Sequence, residues 1–175
     1  MSTPRKPEPV KRIASVISPR EADIDRVIGG LAEEFGPVDW VSPLLPFDRT
    51  RYYEREMGGP LFRKFMSFRE LMDPEELSGA KLVTNALEDR VGKDGTRTVN
   101  IDPGYVCLER LVLATGKNYT HRIYLSKGIF ADLTLVFHQK RFQTLPWTYP
   151  DYADDRVMEY FNLVRERYKL QLRLG

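Results

Sequence analysis

"RIASVISPREADIDRVIGGLAEEFGP", Arg12–Pro37, carries the clearest local structural signal in the chain. Its β-branched start is typical of a buried strand. Ser18 is expected to cap the next helix, with Pro19 at the first helical position and Glu21 completing a capping box. An apolar stripe at helical spacing follows, and Gly36 ends the helix; the stripe consists of Ile24, Val27, Ile28, Leu31 and Phe35. The stretch therefore predicts a strand followed by a helix.

The segments that follow extend this unit into a larger pattern. Val38–Phe47 is predicted to be a second strand, which Pro43 pushes towards an edge position. The middle of "LFRKFMSFREL" predicts a third strand, Asp73–Val91 a second helix, and "TRTVNIDPGYV" a fourth strand. Strand, helix, strand, strand, helix, strand is the order of the ferredoxin-like βαββαβ arrangement. We therefore expect an α+β fold whose core is a four-stranded antiparallel sheet with both helices on one face.

The C-terminal third is predicted to add a hairpin and a helix to that core. Leu108–Thr115 has the pattern of a short helix, with Gly116 as its C-cap. "YTHRIYL" and "IFADLTLVF" predict a β-hairpin that turns at Ser126–Gly128. A final amphipathic helix is indicated by Val157, Phe161, Val164, Tyr168 and Leu172.

Length and composition favour one soluble globular domain. The 175 residues, 42% of them hydrophobic and 30% charged, predict a flexible tail at 1–10 and a single α+β domain at 11–175. Within that domain, 11–106 would form the core and 107–175 the C-terminal extension. A net charge of +2 gives no general attraction to nucleic acid or to a membrane.

The cysteine count and the N-terminal composition favour a cytoplasmic location. Cys107 is the only cysteine, which fits a reducing compartment and leaves no cysteine cluster for zinc. The first residues, "MSTPRKPEPVKR", are polar and proline-rich, unlike a signal peptide. No run approaches the ~20 apolar residues that a membrane helix requires.

"LATGKN" contains a Gly-Lys pair that invites comparison with a nucleotide-binding phosphate loop. A Walker A motif needs a glycine five residues before the Gly-Lys pair and Ser or Thr after it, but Leu111 and Asn118 stand there. The predicted order, helix then strand, is also the reverse of a phosphate loop. Gly116 is therefore interpreted as a helix C-cap and Lys117 as a cation at the negative end of the helix.

His121 and Asp132 are the best candidates for acid–base chemistry. If the hairpin turn is tight, the two residues lie on neighbouring strands about one pair out of register. The carboxylate could then orient the imidazole as a general base, with Lys117 or Arg122 stabilising an anion. The alternative is a histidine that is simply hydrogen-bonded within a half-buried sheet. His138 is expected to be exposed at a strand end.

Asp102 is the third catalytic candidate. In "NIDPGYVCLER" its side chain shares a strand face with Asn100, and Asp102-Pro103-Gly104 is predicted to turn the backbone. Asp102 would then lie near a strand end, where sites often gather. The alternative is an Asx turn, in which Asp102 only binds backbone amides. A metal site would need Asp102 or Glu109 as a further ligand, and none is predicted.

Aromatic residues complete the candidate site. "PWTYPDY" places Trp147 and Tyr149 in a surface loop, where they could bind a ligand or fold back over the sheet. "RTRYYER" mixes arginines and tyrosines, a weak signal for RNA binding. The predicted cleft consists of Asp48, Tyr52, Asp102, Tyr105, Glu109, Lys117, His121, Arg122 and Asp132, with Trp147 and Tyr149 as a lid.

Such a mixture of carboxylates, cations and aromatics suits a small polar or anionic ligand. The alternative function is a non-enzymatic interaction module that binds RNA or a second copy of itself through the sheet. The sequence indicates no particular cofactor.

Four stretches, "SPLLPFDRTRYYEREMG", "NIDPGYVCLERLVLATGKN", "HRIYLSKGIFADLTL" and "WTYPDY", resemble the bacterial and archaeal family called domain of unknown function 4416. The resemblance runs from Val10 to the last helix and implies a stand-alone, single-domain protein. It supplies no established activity and no catalytic residues. Members are sometimes labelled GTP-binding proteins, a label that the motifs of this chain do not support.

Overall fold

The computed structural model of the chain describes residues 1–50, 53–92 and 96–174. Over these residues the fold is mixed α+β, with nine strands in one antiparallel sheet and four α-helices. The N-terminal part contains β1 Val10–Ser18, α1 Glu21–Phe35, β2 Val38–Val41, β3 Leu45–Pro46, α2 Glu54–Met57, β4 Phe62–Met72 and α3 Leu77–Val91. The C-terminal part contains β5 Asn100–Val106, β6 Arg110–Thr115, β7 Arg122–Ser126, β8 Ile129–His138, β9 Arg141–Thr144 and α4 Asp155–Leu174.

The sheet is larger than the sequence predicts. Its strand order is β2-β4-β1-β5-β6-β8-β7, while β3 also pairs with β4 and β9 with β8. The four predicted strands correspond to β1, β2, β4 and β5 and occupy one half of the sheet. The predicted hairpin is present as β7 and β8, but together with β6 it continues the same sheet from β5.

Helices cover both faces of the sheet because alternate side chains of its central strands point to opposite sides. Ala14 and Val16 of β1 pack in one buried cluster with α1 and α3. Ile13 of the same strand packs in another cluster with Phe161 and Val164 of α4. Burial on both sides explains why β1 reads as a nearly continuous apolar run. In the described part of the chain, no helix combines the length and the apolar character needed to span a membrane.

The helix predicted at Leu108–Thr115 is wrong, because this segment forms β6. Leu111, Val112, Leu113 and Ala114 are all buried, since β6 lies between β5 and β8 with both of its faces covered. A short run that is apolar at every position fits a central strand as well as it fits a buried helix. Gly116 is consequently not a helix C-cap.

Asp102-Pro103-Gly104 does not turn the chain, contrary to the prediction, but lies within β5. Pro103 is tolerated there because the described pairing with β6 begins only at Gly104. Gly104 is required by a close approach of two backbones, since a Cβ at this position would collide with the carbonyl oxygen of Val112. Asp102 therefore lies inside a strand rather than in an Asx turn.

Ser18 does not form the predicted capping box of α1. The helix begins at Glu21 after Arg20, so Ser18 lies too far back along the chain. Its hydroxyl instead donates to the carbonyl oxygen of Thr98 at 3.0 Å and accepts from the Arg20 amide at 3.2 Å. The predicted start of the second helix is present, and there the Asp73 amide donates to Glu76 at 3.1 Å.

A buried ion pair joins β1 to the edge strand β2 and to α4. Lys11 is fully buried, and its ammonium group donates to Asp39 at 2.5 Å and to Gln171 at 2.7 Å. Asp39 also accepts from Ser67 at 2.6 Å. Burial lowers the pKa of Lys11. Burial alone would raise the pKa of Asp39, but the hydrogen bonds from Lys11 and Ser67 outweigh it and hold that pKa below its usual value.

Asp39→Asn should destabilise the protein by about 2 kcal/mol near neutral pH, because it weakens a largely buried pair. The folded-state pKa of Asp39 lies below its unfolded value, so the carboxylate contributes stability above the unfolded value. That contribution is lost as the pH falls through the lower, folded-state value. The difference between wild type and variant in urea unfolding should therefore shrink as the pH falls below the unfolded value, about 3.9 for an aspartate. Asp89→Asn, at an exposed position on α3, is the matched control. A difference that stays constant with pH would contradict this account.

Candidate functional site

The carboxylate of Asp132 is the centre of the candidate site. Asp132 lies on β8 with 1% of its surface exposed. Its Oδ2 accepts from Arg122 Nε at 2.8 Å and from the Tyr149 hydroxyl at 3.3 Å. His121 Nε2 lies 3.3 Å from the same oxygen, and Thr134 Oγ1 donates to Oδ1 at 3.3 Å. One buried charge therefore contacts the start of β7, the chain before it and the loop after β9.

The register of the hairpin brings these residues together. Arg122 is the cross-strand neighbour of Asp132, and His121 comes one residue before it. The turn is tight, with Lys127 and Gly128 both at positive φ. The predicted offset of one pair between His121 and Asp132 is confirmed, and so is the contact between their side chains.

The guanidinium of Arg122 is hydrogen-bonded to three neighbouring groups of the protein. Its Nε donates to Asp132, its Nη1 to the Lys117 carbonyl oxygen at 3.0 Å and its Nη2 to the Tyr149 hydroxyl at 2.7 Å. Each of the three nitrogens is thus used within the protein. The guanidinium ties Asp132 to the loop, and its role as the anion stabiliser that the sequence suggests stays a prediction.

Trp147 and Tyr149 cover the histidine–aspartate pair. The Trp147 ring is stacked on the His121 ring, with centroids 4.8 Å apart and planes 10° apart. Its indole N–H donates to the carbonyl oxygen of Leu133 at 2.7 Å. Thr148 then donates to the carbonyl oxygen of Thr134 at 2.6 Å. Hydrogen bonds to β8 therefore hold the 145–154 loop against the sheet.

Tyr149 is kept in its neutral form. Burial raises the pKa of its phenol to about 12, the negative charge of Asp132 adds to this effect, and Arg122 opposes it. At neutral pH the hydroxyl is therefore a hydrogen-bond donor to Asp132. It is not a phenolate nucleophile.

Asp102 belongs to a second cluster on the same face of the sheet. It accepts from Asn100 at 2.8 Å, which confirms that the two side chains share a strand face, and from Arg63 at 3.4 Å. Arg63 is buried and also forms an ion pair with Asp151. The charge of Asp102 contributes to the raised pKa of Tyr149. In the described part of the chain no hydrogen bond or ion pair joins Asp102 to His121.

The other predicted site residues do not gather around Asp132. Tyr105 packs in the apolar cluster that contains Cys107 and Tyr168, and the Cys107 thiol donates to Glu109 at 3.2 Å. Asp48 is exposed, with its carboxylate 3.9 Å from Arg49. Lys117 is exposed and contributes its carbonyl oxygen to Arg122. Tyr52 lies outside the described residues.

Arg63 and Asp151 were missed by the sequence analysis. Arg63 interrupts the apolar pattern of β4, and its guanidinium lies 4.8 Å from the ring centre of Phe47 and 5.4 Å from that of Tyr152. A charged residue at an inward position of a strand signals a buried partner. Asp151 follows Pro150 in the aromatic loop, however, and nothing in the local sequence pairs it with β4.

Two surface depressions lie away from the candidate residues. Depressions of about 430 Å³ and 400 Å³ lie between β9 and α4 and between the β2–β3 segment and α4. Neither is lined by a residue of the predicted cleft. Among the described residues, no group of three His, Cys, Asp or Glu side chains is arranged to hold a metal ion.

The Gly116-Lys117 pair follows β6 and leads towards β7, without an intervening helix. The predicted helix before it is wrong, but a phosphate loop still requires a helix start after the glycines to present its amide groups. Gly116-Lys117 is therefore not a phosphate loop, because in the described chain no helix begins directly after it.

Comparison with protein families gives one result. The family model described as "Domain of unknown function (DUF4416)" matches residues 8–168. The chain belongs to the DUF4416 family. No curated protein and no solved structure matches it. The four stretches quoted from the sequence for this family come together around the 145–154 loop, which contains the fourth of them. Arg49 of the first stretch pairs with Asp154 of the loop, and His121 of the third stacks on Trp147. Asp102 of the second stretch reaches the loop through Arg63 of β4, which also pairs with Asp151.

Asp132→Asn should destabilise this DUF4416 protein by about 3–5 kcal/mol, because it leaves the largely buried Arg122 without its anionic partner. The measurement is urea unfolding followed by circular dichroism. Asp48→Asn, at an exposed carboxylate, should change stability by less than about 0.5 kcal/mol. Equal effects of the two substitutions would show that Asp132 does not organise the site.

Proposed function

We propose that the protein binds a small polar or anionic ligand next to His121, on the surface formed by Tyr119, Trp147 and Tyr149. The observation that supports this most is the way His121 is held. Asp132 fixes its Nε2 side and Trp147 stacks on its ring, while the remaining nitrogen, Nδ1, has no hydrogen-bond partner among the described residues. The side chain is 9% exposed. A ring that is fixed on one side and has an unused nitrogen on the other is suited to contact a ligand.

The protonation pattern of the ring defines what it can bind. A carboxylate can only accept, so the Nε2 atom of His121 carries the proton and donates to Asp132. The neutral ring then offers Nδ1 as an acceptor for a ligand hydroxyl or amine. The protonated ring offers a second N–H, which suits an anion. If the ligand is also turned over, Nδ1 is the general base and Asp132 its orienting partner.

Aromatic side chains give this surface its second property. Trp147 and Tyr149 are each 38% exposed and Tyr119 is 65% exposed. The Tyr119 ring stands edge-on to His121, with centroids 5.6 Å apart. Such rings can pack against the flat or apolar part of a ligand whose polar group meets Nδ1. The proposed ligand therefore combines a ring or an aliphatic body with a hydroxyl, amine or anionic group.

Two further interpretations accompany this function. We infer that β1, α1, β2, β4, α3 and β5 form a ferredoxin-like core, since their order along the chain is βαββαβ. We also infer a cytoplasmic location, because Cys107 is the only cysteine of the chain. The strand order β2-β4-β1-β5 supports the first of these inferences.

A thermal-shift screen tests the ligand site. The purified protein is exposed to nucleotides, sugar phosphates, divalent metal ions and short RNA. A ligand at ~100 times its dissociation constant adds ~2.7 kcal/mol, which raises the unfolding midpoint by roughly 5–10 °C for a chain of this size. His121→Ala should abolish the shift. His138→Ala, at the exposed end of β8, should retain it.

Each outcome of the screen has a defined meaning. A shift lost in His121→Ala and kept in His138→Ala supports the site, and a guanine-nucleotide shift would give substance to the GTP-binding label. A shift that survives His121→Ala places the ligand elsewhere. No shift with any compound favours the alternative class, an interaction module, for which the exposed strand β7 is the specific supporting observation.

A further inference from the structure

Asp102 has an unused carboxylate oxygen on the face of the sheet that also carries Asp132. Its Oδ2 accepts from Asn100 at 2.8 Å and from Arg63 at 3.4 Å. In the described part of the chain no group donates to its Oδ1, and that oxygen is not enclosed, since the side chain is 23% exposed. Asp132, by contrast, is 1% exposed and accepts on both oxygens. Asp102 is therefore the carboxylate of the two that keeps an acceptor for a ligand.

Neighbouring side chains hold Asp102 in one position. Arg97 donates to Oδ1 of Asn100 and so orients this amide, whose nitrogen then faces Asp102. The guanidinium of Arg63 is fixed by its ion pair with Asp151. Both donors to Asp102 are thus positioned by other groups of the protein, which is the condition for a precise binding site.

The charges around Asp102 do not balance. Arg63 pairs with two carboxylates, Asp102 and Asp151, so these three side chains carry one negative charge in excess. Arg97 does not offset it, because its guanidinium lies between two glutamates at 2.8 Å and 3.8 Å. A surplus negative charge beside an accessible oxygen favours a positively charged group.

A buried hydroxyl without a well-formed hydrogen bond lies directly beside this carboxylate. Ser15 of β1 is the cross-strand neighbour of Asp102, so the two side chains share a face of the sheet. Ser15 is fully buried, and its hydroxyl lies next to the phenol of Tyr152. Within the described ranges this hydroxyl has no aligned partner, and neither has the buried Nε of Arg63. Unmet polar groups of this kind are rare in a core, and they are expected next to a functional site.

Three tyrosines lie near Asp102. Burial raises the pKa of Tyr53, Tyr149 and Tyr152, and the negative charge of Asp102 raises each of them further. Their phenols are therefore neutral at pH 7. Tyr53 and Tyr149 are partly exposed, so their rings can contact an organic cation. Tyr149 also donates to Asp132 and thus connects Asp102 with the His121 site.

Strand register gives the separation between Asp102 and the His121 site. Gly104, two residues after Asp102, is opposite Leu113, which is opposite Asp132. Two strand spacings across the sheet and two residues along it place the Cα atoms of Asp102 and Asp132 about 12 Å apart. One small molecule can span such a distance.

We propose that the ligand of the His121 site is an organic amine and that Asp102 binds its ammonium group. The ammonium group donates to Oδ1 of Asp102, beside Tyr53 and Tyr149, while a hydroxyl or anionic group of the same molecule meets Nδ1 of His121. One carboxylate oxygen is too few donors for a metal ion, and among the described residues no group of three suitable side chains is arranged to hold one. This inference rests on the function proposed above, whose ligand it defines.

Pairs of charged and neutral compounds test the role of Asp102. Isothermal titration calorimetry compares tyramine and aminopentanol with their N-acetyl derivatives, in which the positive charge is removed and the rest of the molecule is kept. The wild type should bind each amine at least about 10-fold more tightly than its acetylated partner, because the charged hydrogen bond is lost on acetylation. Asp102→Asn should abolish this preference and leave the affinity for the acetylated compound unchanged. Asp89→Asn, at an exposed carboxylate of α3, is the matched control and should keep the preference.

His121→Ala separates this inference from the site that it extends. The substitution should weaken binding of both members of a pair equally, so that the preference for the amine remains. A preference that survives Asp102→Asn would overturn the role of Asp102, whereas weaker binding by His121→Ala would still support the His121 site. A preference that requires Asp102, with binding unaffected by His121→Ala, would support the amine contact and contradict the function proposed at His121.

Two further results decide the amine assignment. A wild type that binds neither amine at millimolar concentration would overturn it. Binding of the acetylated compound by Asp102→Asn, together with an unchanged circular dichroism spectrum, shows that the variant is folded and that only the contact with the charge is lost.

Discussion

The buried carboxylate of Asp132 is the constraint on which the candidate site depends. A charge with 1% exposure needs partners, because an unpaired buried carboxylate costs several kcal/mol. Arg122, His121, Tyr149 and Thr134 supply them from β7, the chain before it, the 145–154 loop and β8 itself. Through Tyr149 this one group also holds the loop beside His121, on which Trp147 stacks.

The 145–154 loop is held at more than one point, always by a pairing of opposite charges or by hydrogen bonds to the sheet. In its middle Tyr149 joins Arg122 and Asp132, and two residues further along Asp151 pairs with the buried Arg63 of β4. At its end Asp154 lies 3.4 Å from Arg49. These anchors come from strands and segments far apart in the chain. The loop is thus a fixed cover over the sheet rather than an open tail, and the ligand surface that we propose is the part of this cover next to His121.

Local patterns predict the parts of the fold that depend on neighbouring residues. The β1–α1 unit, the β7–β8 hairpin and the final helix follow from β-branched runs, a tight turn and an apolar stripe, and the hairpin register is enough to place His121 beside Asp132.

The sequence misleads where a local pattern is ambiguous or where long-range contacts determine the structure. Leu111–Ala114 is apolar at every position, so only its neighbours β5 and β8 make it a strand. β9 was missed because Gln139 and Lys140 adopt positive φ without the usual Asn-Gly signal. The pairing of Arg63 with Asp151 is fixed only by the folded chain, and so is the second cluster around Asp102.

The most direct test of the role of Asp132 is amide hydrogen exchange in Tyr149→Phe. This substitution removes the single hydroxyl that joins the loop to Arg122 and Asp132 and leaves the sheet intact. The amides of Thr148, Tyr152 and Ala153 close hydrogen bonds within the loop. The account predicts that they exchange about tenfold faster, which corresponds to the loss of about 1.4 kcal/mol, while the amides of β1 exchange as in the wild type. Unchanged exchange in the loop would contradict the claim that Asp132 holds it.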